Sequence, residues 1–151
     1  MKPAIWPASI ALIAAYMTLP ARAELGGDIQ SIQADRLRMQ ATRTDASAGS
    51  DYTVHEMRMP SGTVVREYAG ANGKVFAVTW EGPAQPKLDQ LLGPYFDQYS
   101  EAAQEVPAGQ RQAMIRQPGF VLQSSGHMRT FSGKAYLPDL LPQGVAAEDL
   151  Q

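Results

Sequence analysis

Three short runs rich in β-branched and aromatic residues, Tyr52–Met59, Thr63–Ala69 and Lys74–Trp80, follow one another with only turn residues between them. Pro60-Ser61-Gly62 separates the first two and Asn72-Gly73 the second two. Asn and Gly both tolerate the positive φ that tight hairpin turns demand, so runs joined this closely are expected to pair as a three-stranded antiparallel meander. Past Glu81-Gly82-Pro83, residues Leu88, Leu91, Leu92, Tyr95, Phe96 and Tyr99 recur at the spacing of an amphipathic helix. Gly93-Pro94 falls inside that stripe. Proline removes an amide donor and clashes with the preceding turn, which predicts a kinked helix or two short ones. Phe76, Val78 and Trp80 alternate along one run and supply the face for the stripe to cover.

A second hairpin is expected from Phe120–Ser124 through Ser125-Gly126 into Met128–Leu137. Gln104 to Gly119 reads as polar loop, and the stretch carrying Pro138 and Pro142 as an irregular or briefly helical tail. Ahead of the meander, Asp28 suits the N-cap of a modest helix carrying Ile29, Ile32, Arg36, Leu37 and Gln40, and Arg43 to Asp51 reads as a flexible polar linker. The expected fold is therefore α+β, an antiparallel sheet of meander plus hairpin covered by a broken amphipathic helix. Residues 24–51 form an N-terminal helix and linker, and residues 52–151 the single α+β domain.

The first 23 residues read differently. Lys2, an uncharged run from Ile5 to Leu19, Pro20 and the small-x-small triplet Ala21-Arg22-Ala23 have the layout of a secretory signal peptide. A transmembrane anchor needs about 20 apolar residues, more than this run has before its proline. Loss of the segment removes Lys2 and Arg22 and takes the formal net charge from −2 to −4. The 151 residues include no cysteine, which excludes disulfides, thiolate metal sites and a cysteine nucleophile, and with them the cysteine that bacterial lipidation requires. The expected product is exported to the periplasm or the extracellular medium, with neither membrane nor lipid anchor. The acidic balance offers no basic surface for a phosphate backbone, so nucleic acid is not an expected partner.

Several segments together resemble a known family. They are Tyr52-Thr53-Val54-His55-Glu56, Ser61 to Tyr68, Val75 to Pro83, Leu91-Leu92-Gly93-Pro94-Tyr95-Phe96, Ser125-Gly126-His127-Met128, Phe131-Ser132-Gly133-Lys134-Ala135 and Leu141 to Val145. In this order, after a signal peptide, the chain resembles the proteobacterial family known as domain of unknown function 2844. Arg129 stands where the pattern has a small residue, and Ala41 to Asp51 matches nothing in particular. The resemblance implies export and a single domain, and it supplies no catalytic residue.

Chemistry-bearing residues are few. The chain has two histidines, His55 and His127. His55, Met57 and Met59 alternate along one expected strand, and His127-Met128 offers a second imidazole and thioether; this is a copper-type ligand set, weighed against methionines that simply fill the core. A hydrolase would take His127 as general base, Ser124 or Ser125 as nucleophile and Glu67, Glu81 or Asp97 as orienter. No Gly-x-Ser-x-Gly elbow accompanies them, neighbouring Ser and His on a hairpin are expected to face opposite ways, and the acids fall mostly on expected exposed faces. Ser125-Gly126-His127 reads more simply as a turn. Most of Tyr68, Phe76, Trp80, Tyr95, Phe96, Tyr99, Phe131 and Tyr136 are expected in the core, with Arg66 and Arg129 bordering any open edge.

The expected function is a binding or assembly module of the bacterial envelope, acting on another envelope protein or ligand, with no cofactor, no catalytic residue and no chemistry of its own. A copper-handling protein and a small hydrolase are the alternatives. Mass spectrometry of the exported protein should find Glu24 at its N-terminus; a membrane-embedded form retaining Met1 would refute the cleavage.

Overall fold

The computed structural model describes residues 24–49, 51–106 and 112–151; the expected signal peptide, residues 1–23, lies outside them. Seven strands form one antiparallel sheet: β1 (Arg43–Ala48), β2 (Tyr52–Arg58), β3 (Val64–Gly70), β4 (Val75–Gly82), β5 (Gln112–Gln117), β6 (Phe120–His127) and β7 (Thr130–Tyr136). Their spatial order is β1-β2-β3-β4-β7-β6-β5. Thus β2, β3 and β4 are the expected meander, and β6 and β7 the expected second hairpin.

Two strands occupy segments expected as loop. The supposed linker is β1, paired with β2 from Arg43 opposite Arg58 to Ala48 opposite Thr53. Part of the supposed loop after Gln104 is β5, paired with β6. Both are edge strands, where polar side chains and few large apolar ones are the usual composition, so neither carries the hydrophobic signal of an inner strand. The turn of the second hairpin also moves. Ser125-Gly126 lies within β6, and the chain reverses at Met128-Arg129, whose φ values of 42° and 72° match the positive φ of both central residues in a tight hairpin turn.

β4 is the central strand and is buried from Val75 to Trp80. Its register against β3 shifts: Tyr68 lies opposite Ala77, whereas the next residue, Ala69, lies opposite Val75, leaving Phe76 as the extra residue of a β-bulge. Simple alternation would place Phe76 with Val78 and Trp80. The bulge instead directs Phe76 and Ala77 into one apolar cluster and Val75, Val78 and Trp80 into another on the opposite face. The expected Phe76-Val78-Trp80 face is therefore corrected to Val75-Val78-Trp80.

That face is covered by helices. A 3-10 turn (Ile29–Ser31) leads into α1 (Ile32–Arg38); Asp28 holds the N-cap position without a capping hydrogen bond, and its carboxylate instead meets Lys74 Nζ at 2.9 Å. The apolar stripe is divided as its Gly-Pro predicts, into α2 (Leu88–Leu92), a 3-10 turn (Gly93–Tyr95) and α3 (Phe96–Gln104). A Cβ at Gly93, where φ is 51°, would overlap the Glu24 side chain. Leu88, Leu91 and Leu92 are buried with Val65, Val78, Trp80, Phe120 and Leu122, and Tyr95 stacks on Phe120 at 5.3 Å. On the opposite face Tyr52, Tyr68 and Phe76 form an aromatic triangle with ring separations of 5.8–6.1 Å. The tail covers this triangle through Leu140, Leu141, Val145 and Leu150 and includes two short 3-10 turns, as an irregular, briefly helical segment should.

Leu91→Ala should destabilise the fold by about 2–5 kcal/mol in urea denaturation, with Phe96→Ala, at a half-buried site, costing less. Gly133→Ala should also destabilise, because the Trp80 ring occupies the space of its Cβ. An unchanged midpoint for Leu91→Ala would mean that the helices do not seal this face.

Candidate functional site

Side chains directly opposite one another in antiparallel strands share a face, so the pairings sort every strand residue. The row His55-Glu67-Val78-Ala135-Leu122-Ile115 lies on the helix-covered face. The row Glu56-Arg66-Thr79-Lys134-Gln123-Met114 lies on the other, beside Glu81-Ser132-Ser125-Gln112. The tail covers only part of this second face. The remainder is a groove lined by Thr79, Lys134, Gln123, Ser125, Ser132 and Met114, which wraps round the β5 edge to Ala102 and Val106 at the end of α3.

The groove presents hydroxyls, amides and a cation as hydrogen-bonding groups, with Met114 exposed at its rim. Two cations border its inner end. Arg66 Nε is held by Glu56 at 2.9 Å, and Lys134 Nζ donates to the Ala147 carbonyl at 2.6 Å. Thr79, only 4% exposed, stands between them in the row. Among these, Arg66 was expected at an open edge. Thr79, Gln123 and Lys134 were missed, although the alternation of polar residues along β4, β6 and β7 carries their signal.

The copper-type residues are not brought together. His55, Met57 and Met59 do share the helix-covered face, but Met57 is fully buried in the main core and Met59 packs against it. His127 lies on the opposite face at the end of β6, a strand four places from that of His55, which separates the two strands by roughly 19 Å across the sheet at ordinary strand spacing. Met128 is 85% exposed at the hairpin tip. Among the described residues no group of three or more His, Cys, Asp or Glu side chains is placed to hold a metal ion.

The hydrolase set is also divided. Ser125 and His127 lie two residues apart on one strand and share the groove face, which corrects the expectation that they point apart; Ser124 faces the helices. Ser125-Gly126-His127 is strand and not turn. Glu67 is buried, at 1% exposure, on the helix-covered face, contrary to its expected exposure. Asp97 is exposed on α3, and Glu81 is separated from Ser125 by the intervening strand β7.

The sequence profile of a family described as protein of unknown function (DUF2844) matches residues 21–150, and the chain belongs to that family. No curated protein and no solved structure matches the chain. Among the described residues no helix is long and apolar enough to cross a membrane.

His55 yields a pH prediction. Its Nε2 is buried without a hydrogen-bond partner among the described residues, and burial lowers its pKa below the usual histidine value. The unfolded chain therefore takes up a proton more readily than the folded one as pH falls through the ordinary histidine range, so this residue's contribution to stability is present above that range and declines below it. His55→Gln should flatten the stability loss between about pH 7 and 5, measured by urea denaturation at each pH. An unaltered slope would show that His55 is not the group responsible.

Proposed function

We propose that this member of the family is an exported, non-enzymatic binding module of the bacterial envelope, which engages another envelope protein or ligand through the open polar half of its sheet. The observation that carries this reading is the unequal treatment of the two sheet faces. One face is closed by three helices over an apolar core. The other is closed only in part, and what remains open is a set of hydrogen-bonding side chains held in register by the strands. Such a surface positions donors and acceptors on a rigid element, which is what recognition requires.

Acid–base catalysis needs a base within hydrogen-bond reach of its nucleophile, oriented by a third group. The candidate residues are instead spread over both faces and α3, which favours binding over hydrolysis. The roughly 19 Å between the histidine-bearing strands equally disfavours one copper centre built from both. Export rests on the signal-type layout of residues 1–23.

Gln123→Arg and Ser125→Arg each place a long cation in the groove while leaving the helix-covered core intact. Either should weaken capture of a partner from envelope extract by about tenfold or more with little change in melting temperature. Undiminished capture by both folded variants would refute the groove as the contact surface. Tight copper binding lost in a His55→Gln/His127→Gln double variant would favour metal handling instead.

A further inference from the structure

The β5 edge of the sheet has a hydrogen-bonding phase that can be read from its turn. Pro118-Gly119 is a two-residue connection between β5 and β6, so the residues flanking it, Gln117 and Phe120, form a hydrogen-bonded pair. Bonded and non-bonded pairs alternate along an antiparallel ladder. Ile115 and Ala113 therefore bond to Leu122 and Ser124, whereas Gln112, Met114 and Arg116 turn their N–H and C=O groups away from β6. The next ladder agrees: counted from its own two-residue turn, β7 engages the odd-numbered residues of β6 and leaves the even-numbered ones for β5. Among the described residues no other backbone bond takes up the outward groups of β5, and all its residues line the open groove.

The edge is complementary to itself. A two-fold axis through Met114, normal to the sheet, sets Met114 against Met114 of a second copy and Gln112 against its Arg116. Each outward-pointing residue then meets another, so every such pair exchanges both backbone bonds. The side chains agree with the backbone. Arg116 faces a neutral amide whose oxygen accepts from a guanidinium, and no like charges are opposed. Met114, at 55% exposure a large apolar side chain left in solvent, is covered by its own counterpart. On the helix side Ala113 opposes Ile115, small against large. The β1 edge differs, because it carries the exposed Arg43–Asp45 ion pair at 2.7 Å, and charges along an edge oppose strand addition. Pairing at β5 alone closes at two copies and does not run on into a filament.

We propose that the chain forms a two-fold dimer through β5, in which the two sheets join edge to edge about Met114 and each groove is completed by Gln112, Met114 and Arg116 of the second copy. This goes beyond the binding role and does not depend on it. Residues directly opposite share a face, so both helix layers lie on one side of the joined sheet and both grooves on the other. The outer rim of each groove, open in the single chain, becomes the floor between two equivalent halves, and one dimer presents its polar surface twice.

The test uses residues 24–151, which contain every described residue, in sedimentation velocity across the micromolar range. The unaltered chain should approach the dimer mass as concentration rises. Met114→Lys sets two cations against each other on the axis and should weaken association about tenfold or more at unchanged melting temperature. The absence of cysteine allows a second measurement. Opposed residues of a bonded pair have Cα atoms about 5.5 Å apart, within the span of a disulfide. Under oxidised glutathione Met114→Cys should cross-link with itself, Gln112→Cys should cross-link with Arg116→Cys and not with itself, and Ala46→Cys on β1 should stay monomeric. A monomer throughout the concentration range would overturn the proposal, as would a dimer that a folded Met114→Lys variant leaves intact. If that variant fails to fold, the cross-links decide: equal yields from Met114→Cys and Ala46→Cys would overturn it. No partner is present in these measurements, so their failure leaves the groove reading standing, and loss of the groove reading leaves the dimer standing.

Discussion

The bulge at Phe76 is the constraint on which the rest of the structure depends. A central strand buried on both faces must serve two apolar clusters, and strict alternation would share its large residues between them at every second position. The extra residue changes the phase once. Val78 and Trp80 then meet the leucines of α2, whereas Phe76 and Ala77 meet Tyr68 and the tail. Without that change Val75 and Phe76 would exchange faces, the aromatic triangle with Tyr52 and Tyr68 would lose a corner, and the seat of Leu150 would go with it. Bulges bend and re-aim a strand at the cost of one unpaired residue, and here the residue re-aimed is the one that anchors the second cluster.

The two faces consequently have different characters. Trp80 lies over Gly133, whose missing side chain lets the indole approach the neighbouring strand, and α2 and α3 complete that cover. Fully buried apolar side chains of this kind contribute about 1.5–3 kcal/mol each relative to exposure, so this face carries the larger share of stability. The second cluster is smaller and ends where the polar row begins. Tyr68 belongs to both regions: its ring packs against Phe76 and its hydroxyl bonds the Gln151 main chain. The polar surface is thereby fixed in place by an apolar contact, which gives the proposed binding surface its rigidity.

The meander and the broken helix were legible in the amino-acid sequence because both depend on local rules. Asn72-Gly73 supplies a turn whatever lies elsewhere, and Gly93-Pro94 interrupts a helix wherever it packs. The edge strands were not legible. Arg43-Thr44-Asp45-Ala46-Ser47-Ala48 has the composition of a linker, and it becomes a strand because the outer edge of β2 offers unpaired backbone groups beside it. Ser125-Gly126 shows the converse error: a pair with turn composition is held in extended form by Ser132 and Phe131 across the ladder, and the reversal passes to Met128-Arg129 despite the absence of glycine there.

The candidate site divides along the same line. The scarcity of histidine, the missing cysteines and the layout of the first 23 residues belong to the sequence alone, since composition and local order need no partners to be read. Which face each residue occupies belongs to the tertiary structure. His55 and His127 are separated, Ser125 and His127 share a surface, Glu67 is drawn inside, and Thr79 and Lys134 become neighbours of Arg66 only through strand register. Side chains alternate with a period of two, so a bulge or a one-residue displacement of a turn reassigns a surface completely. Turn and helix propensities act over a few residues, whereas register is settled by pairing between segments up to tens of residues apart; the first kind of information is written in the chain, and the second arises only when the chain folds.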